Sequence, residues 1–254
     1  MGYFGHSLHS EFAGQTLDWF GNDSFEKHCY YKKTRLSELE QFGLVDQEFT
    51  YTFNTHGFRS EEFNTEDSIV FLGASDTLGT GMPLEDTWTY LVAKELGLRR
   101  YNLGQGGGSG CTSFRLASYW LEHLNPKVVV YMSPLNPRCE LAKDDSGETI
   151  YHQLSPAISA GLSPFWKKFQ DEELKKDLIQ YYNQWISSDD NLILLQHKNN
   201  LAIDKLSGNM NAKFILADSD KDWGIATCDL ARDLMHGGVE TNKNIAKMVL
   251  ERIS

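Results

Sequence analysis

From Ser68 onward the chain alternates short apolar runs with segments whose apolar residues recur every three or four positions. The runs are Ile69-Val70-Phe71-Leu72, Val128-Val129-Val130-Tyr131-Met132 and Phe214-Ile215-Leu216-Ala217, and Tyr101-Asn102-Leu103 reads as a further short strand. A continuous apolar run is what a strand needs when helices cover both faces of its sheet, so these segments predict parallel strands. Between them, Trp88, Leu91, Val92 and Leu96 fall on one helical face, behind a Glu85-Asp86-Thr87 start that suits a helix dipole. Further helical patterns run over about 112–123, 169–187, 191–206 and 240–253, the last turning Ile245, Met248, Val249 and Ile253 to the core. Such alternation predicts an α/β domain. Residues 137 to about 165 read as irregular, with Asp144-Asp145-Ser146-Gly147 as an exposed turn.

Residues 1–66 differ from this pattern. They are rich in Phe, Tyr and His, with one candidate strand at residues 48–53 and a turn through Asn54-Thr55-His56-Gly57-Phe58-Arg59. So many aromatics are costly to leave in water, which predicts an extension packed on a main domain of residues 67–254. The same extension offers a surface for assembly contacts.

Composition narrows the function. Of 254 residues, 35 are acidic and 24 basic, a formal net charge of −11 without a basic cluster. That balance repels a phosphate backbone, so nucleic acid is not the expected partner. The start of the chain shows no signal-peptide pattern and no apolar run reaches about 18–20 residues, so membrane insertion is not expected either, and the expected setting is cytoplasmic or another that needs no recognisable signal peptide. Cys29, Cys111, Cys139 and Cys228 are widely spaced and read as free thiols.

Candidate chemistry lies in two distant segments. The first strand stops at Gly73-Ala74-Ser75-Asp76, and near the C-terminus stands Asp233-Leu234-Met235-His236-Gly237. A serine on a turn after a strand can be presented as a nucleophile, and its hydroxyl needs an imidazole to take the proton. The glycine loop Gly104 to Gly110 and Asn136 also follow strands, where function gathers in open parallel sheets.

Together these segments resemble the SGNH, or GDSL-type, hydrolases, a family of serine esterases, lipases and deacetylases. The likeness runs in order over about residues 67–254. Ser75 matches the nucleophile of the first block, Gly104 in Asn102-Leu103-Gly104 the glycine of the second, Asn136 in Pro134-Leu135-Asn136 the asparagine of the third, and Asp233 and His236 the last. Gly73-Ala74-Ser75 departs from the usual Gly-Asp-Ser, and Pro134 stands where the third block has glycine. The resemblance implies a three-layer, flavodoxin-like fold with helices on both faces of a parallel sheet, and no cofactor or metal. It implies Ser75 as nucleophile, His236 as base, Asp233 as its orienting carboxylate, and an oxyanion hole from Ser75 N–H, Gly104 N–H and the Asn136 amide. The expected substrate is a small-molecule or carbohydrate ester with a short acyl group. The alternative is a degenerate member of the same fold, kept as a binding or structural module.

Other motifs are weaker. Gly104-Gln105-Gly106 resembles part of a dinucleotide fingerprint, but the next strand ends Tyr131-Met132-Ser133 without the acidic residue a ribose needs. His6 and His9 read as a solvated pair, and His28, His123, His152 and His197 as surface or satisfied core positions. Asp218 and Asp220 read as a polar loop, Arg59 and Arg138 as partners in structural ion pairs, and residues 171–177 as a solvated helix face.

Overall fold

The structure, a computed structural model, describes residues 4–64, 67–134, 138–145, 148–154, 172–186, 188–218 and 228–254. Its centre is a four-stranded parallel sheet of β3 (Ser68–Leu72), β4 (Arg99–Asn102), β5 (Val128–Ser133) and β8 (Lys213–Asp218), in the spatial order β4-β3-β5-β8. The register pairs Val70 with Tyr101 on one side and with Val129 on the other, and Val129 in turn with Phe214.

Side chains alternate across a strand, so consecutive apolar residues feed two cores. Val70, Leu72, Tyr101, Val129 and Tyr131 pack against Leu116, Ala117, Trp120 and Leu121 of α5 (Gly110–Leu124) and Ile203 of α7 (Asp189–Asn209). Ile69, Phe71, Val128, Val130 and Ile215 face the opposite way, onto Trp88 and Val92 of α4 (Trp88–Leu96) and Ile245 and Val249 of α8 (Val239–Ile253). Helices therefore cover both faces, giving the three layers of a flavodoxin-like α/β fold. The sequence expectation for this frame holds, with helix ends shifted by a few residues.

Helix starts follow local chemistry. Ser109 and Thr112 form a reciprocal capping box at α5, with Thr112 N–H on Ser109 Oγ at 3.2 Å and Ser109 N–H on Thr112 Oγ1 at 3.1 Å. Thr87 caps α4 through the Tyr90 N–H, and that helix stops at Gly97 in the left-handed conformation.

One expectation fails. The stretch read as irregular contains an antiparallel hairpin, β6 (Cys139–Asp145) paired with β7 (Glu148–Leu154) from Cys139↔Leu154 to Asp145↔Glu148. A two-stranded ribbon outside the main sheet needs no continuous apolar run, so the signal that found the core strands passes over it. Ser146 and Gly147 of the expected turn lie outside the described residues. Downstream, α6 (Glu172–Tyr181) leads into a π-helical turn, Tyr182–Ile186.

The first 64 residues supply α1 (Phe25–Thr34), α2 (Leu36–Gln41) and two short antiparallel strands, β1 (Thr16–Leu17) and β2 (Tyr51–Thr52). The strand expected over 48–53 is thus only two residues long. Phe20, Tyr51 and Phe53 form an aromatic cluster that closes on Leu78, at the end of the turn carrying Ser75. Among the described residues no helix is long and apolar enough to cross a membrane.

Candidate active site

The site is built where β3 ends. After Leu72 the chain turns through Gly73 and Ala74 into the one-turn helix α3 (Ser75–Leu78), with Ser75 at its first position. A residue there keeps its main-chain N–H outside the helical ladder, and the Ser75 N–H meets no acceptor among the described residues. The C-terminal segment arrives from the other end of the chain just before α8, closed by an antiparallel bridge between Leu230 and Gly237.

Three side chains meet in a line. His236 Nε2 lies 2.8 Å from Ser75 Oγ, and His236 Nδ1 lies 2.6 Å from Asp233 Oδ2. Asp233 Oδ1 accepts the main-chain N–H groups of Met235 and His236, both at 3.1 Å, so the carboxylate is buried with its hydrogen bonds made. Burial would raise the Asp233 pKa, but the bonds from the imidazole and the two amides hold it below its ordinary value. An ionised carboxylate only accepts, so Nδ1 carries the ring proton and the neutral ring presents an Nε2 lone pair to the Ser75 hydroxyl. That is the arrangement that general-base activation of a serine requires.

A fourth group joins them. Asp76 Oδ1 stands 3.9 Å from His236 Nε2. Burial around His236 pulls its pKa down, but the Asp233 hydrogen bond and the charges of Asp76 and Asp233 outweigh it, and the ring is pushed up to about 8. Burial raises the Asp76 pKa, against the lowering effect of His236 and Arg138. Sequence reasoning quoted Asp76 and gave it no role. Its only signal was adjacency to Ser75.

The expected oxyanion donors fare differently. The Gly104 N–H is already bonded to Asn102 Oδ1 at 2.9 Å, and a Cβ on Gly104 would lie 2.6 Å from Leu78 N. Glycine is needed there because α3 presses on it. In the same loop the N–H of Gln105 goes to Gly73 O, of Gly106 to His9 Nε2, of Gly108 to Gln105 O and of Ser109 to Thr112 Oγ1. The half-exposed Gly107, at φ +75°, has an amide that meets no acceptor among the described residues, as does Gly110 at the first position of α5. Asn136 lies outside the described residues, as does Asp220.

Several bland expectations change. His9 is buried, not solvated; its Nε2 accepts the Gly106 N–H at 3.0 Å and its ring meets Phe20 edge-on. Among the described residues no His, Cys, Asp or Glu cluster could hold a metal ion. Arg59 donates to main-chain carbonyls of Gly79 at 2.5 Å and Met82 at 2.8 Å, where an ion pair was expected. The four cysteines are free.

No family model matches the chain, and no curated protein matches it either. Comparison with solved structures gives 41 matching chains, among them GDSL-type esterases and lipases. An acetyl xylan esterase from Butyrivibrio proteoclasticus is 13% identical at a TM-score of 0.39, over 82% of this chain and 66% of its own. The esterase EstA from Pseudoalteromonas sp. is 13% identical at a TM-score of 0.35, over 74% and 97%. A protein from Desulfitobacterium hafniense, provisionally described as lipolytic and of the G-D-S-L family, is 12% identical at a TM-score of 0.33, over 75% and 100%. Likeness this distant leaves the chemistry to be read from the side chains.

Proposed function

We propose that this chain is a serine esterase that hydrolyses a carboxylic ester through Ser75, His236 and Asp233. The observation that carries the reading is the unbroken line from Ser75 Oγ through the imidazole to Asp233 Oδ2, with contacts of 2.8 and 2.6 Å. Ser75 Oγ attacks the ester carbonyl while His236 Nε2 takes its proton, and the ionised Asp233 stabilises the imidazolium so formed. The oxyanion is held by the N–H groups of Ser75 and Gly107, with the latter in the role first expected of Gly104; the Asn136 amide is retained as the third donor. His236 returns the proton to the leaving alcohol, and then activates the water that releases the acid. Each oxyanion donor contributes about 2.7–4 kcal/mol to transition-state stabilisation.

The acyl group is short, as in an O-acetyl on a carbohydrate or a related small ester. What supports this is the charge beside the nucleophile. Asp76 and Arg138 both act on the imidazole, and a long apolar chain laid against them would strip their water without replacing it.

A fluorophosphonate probe and a series of p-nitrophenyl esters from acetate to octanoate test the reading. Labelling and acetate hydrolysis should both vanish in Ser75→Ala, and rates should fall with acyl length. A parent protein that neither reacts with the probe nor turns over any ester is a binding module on a hydrolase fold.

A further inference from the structure

Arg232 immediately precedes Asp233, yet nearly everything its guanidinium touches comes from the other end of the chain. Its Nε donates to Asp23 Oδ1 at 3.0 Å and its Nη2 to Asp23 Oδ2 at 2.6 Å, with both side chains almost wholly buried. Nη1 donates to Gln47 O at 3.0 Å and Nη2 also to Asp18 O at 2.9 Å. The guanidinium carbon lies 3.8 Å from the ring centroids of both Trp19 and Phe49. A buried arginine with its donors satisfied and its faces stacked has one available geometry.

The same carboxylate reaches the nucleophile turn. Tyr51 OH donates to Asp23 Oδ2 at 2.6 Å and accepts the Gly81 N–H at 2.7 Å, while Gly81 O accepts the Arg232 N–H at 3.1 Å. A Cβ on Gly81 would sit 3.1 Å from Asp233 Oδ1, so the two segments touch beside the orienting carboxylate. Arg59, stacked 4.4 Å over Tyr51, fixes the carbonyls of Gly79 and Met82 around this contact. Leu234, held at φ +50°, is buried against Leu39 and Leu44 of the first 64 residues. A branched residue does not adopt that conformation unless its surroundings impose it.

We propose that Asp23 is a positioning residue for the Ser75–His236–Asp233 line: through Arg232 and Tyr51 it clamps the loop bearing Asp233 and His236 in register with the turn bearing Ser75. The N-terminal segment is then a working part of the active site without touching the reacting atoms. The inference rests on the esterase reading for its kinetic consequence, but not for its geometric one.

The test compares Asp23→Asn with the double variant Asp23→Asn/Arg232→Met, which removes both charges and leaves no unpaired buried ion. Lys32→Ala, in an exposed ion pair of the same segment, is the control and should match the parent. In folded, active-site-titrated protein kcat for p-nitrophenyl acetate should fall on the order of tenfold to a hundredfold with KM little changed, as expected when reacting groups shift by about 1 Å. A merely destabilising change would lower the titrated fraction and leave kcat per site intact. Independently of turnover, the His236 imidazole pKa, followed by NMR, should drop as its bond to Asp233 loosens, with Asp76 and Arg138 unchanged around it. If the double variant folds and keeps both kcat and the imidazole pKa of the parent, the clamp is wrong. If the parent shows no esterase activity but the NMR shift appears, the clamp stands and the proposed activity falls.

Discussion

Asp76 Oδ1 lies 3.9 Å from His236 Nε2, the same ring nitrogen that approaches Ser75 Oγ at 2.8 Å. A carboxylate there favours the protonated ring, which cannot accept the serine proton. Together with Asp233 it pushes the His236 pKa up to about 8 against the effect of burial. Activity should therefore be low while the ring is charged and rise as pH climbs through about 8. In Asp76→Asn the attracting charge is gone, the folded pKa falls, and the rising limb of kcat/KM should move to lower pH. A pH–rate profile of parent and variant on p-nitrophenyl acetate checks this. A limb that stays in place, or moves upward, rules out the electrostatic role of Asp76.

Asp233 sets the tautomer. Its Oδ2 accepts the hydrogen bond of His236 Nδ1–H and its Oδ1 accepts those of the Met235 and His236 amides, so replacing one oxygen by NH2 disrupts whichever side receives it. Asp233→Asn should lower kcat by roughly 10³–10⁴-fold with a modest change in KM, as when the wrong tautomer faces the serine. The expected loss is in rate, so circular dichroism should show a folded protein. A fall of less than about tenfold would mean that His236 is oriented by other groups.

The parallel frame was legible because β3, β5 and β8 are apolar on both faces and the covering helices carry stripes, as Ile69 to Leu72 and Trp88 with Val92 show; the edge strand β4 turns only Tyr101 into a core. The meeting of Ser75, Asp233 and His236 was legible because each follows a strand or precedes a helix in a recognisable order. What could not be read were contacts between segments about 200 residues apart. Nothing local distinguishes Asp23 from any other loop aspartate, and its value comes from Arg232 and Tyr51, which both reach its carboxylate. The contact that Gly104 makes was hidden for a related reason. A glycine after a strand signals close approach, but not whether the approaching group is substrate or, as here, the backbone of Leu78.

That geometry makes Gly104→Ala informative. The added Cβ would lie 2.6 Å from Leu78 N and 2.8 Å from Thr77 C, which are backbone atoms of α3 and cannot swing aside. The helix bearing Ser75 must shift, so kcat should fall and the protein should lose about 1–3 kcal/mol, the usual cost of overpacking. Gly107→Ala also costs stability, because φ +75° suits glycine, but the strain falls on the amide assigned to the oxyanion and kcat should fall as well. Urea denaturation of both variants beside ester kinetics measures the two effects. Gly107→Ala protein that is destabilised but keeps the kcat of the parent would contradict the role assigned to Gly107.

Arg115 gives a prediction about stability free of the chemistry. It lies on α5 with its Nε 2.6 Å from Glu140 Oε1 and its Nη2 3.2 Å from Glu140 Oε2, both side chains nearly sealed from water. Its Nη1 also donates to the carbonyls of Phe4 and His6, each at 2.8 Å, so one guanidinium ties the N-terminal segment, α5 and the start of β6. Arg115→Met keeps much of the volume and strands the Glu140 charge, which should cost about 3–5 kcal/mol. At roughly 2–4 °C per kcal/mol for a chain of this size, Tm should drop by about 6–20 °C. Adding Glu140→Gln to the same protein should recover part of the loss, because the desolvated charge is removed with its partner. A single variant as stable as the parent in urea would show that water reaches Glu140 and that this pair is not sealed in solution.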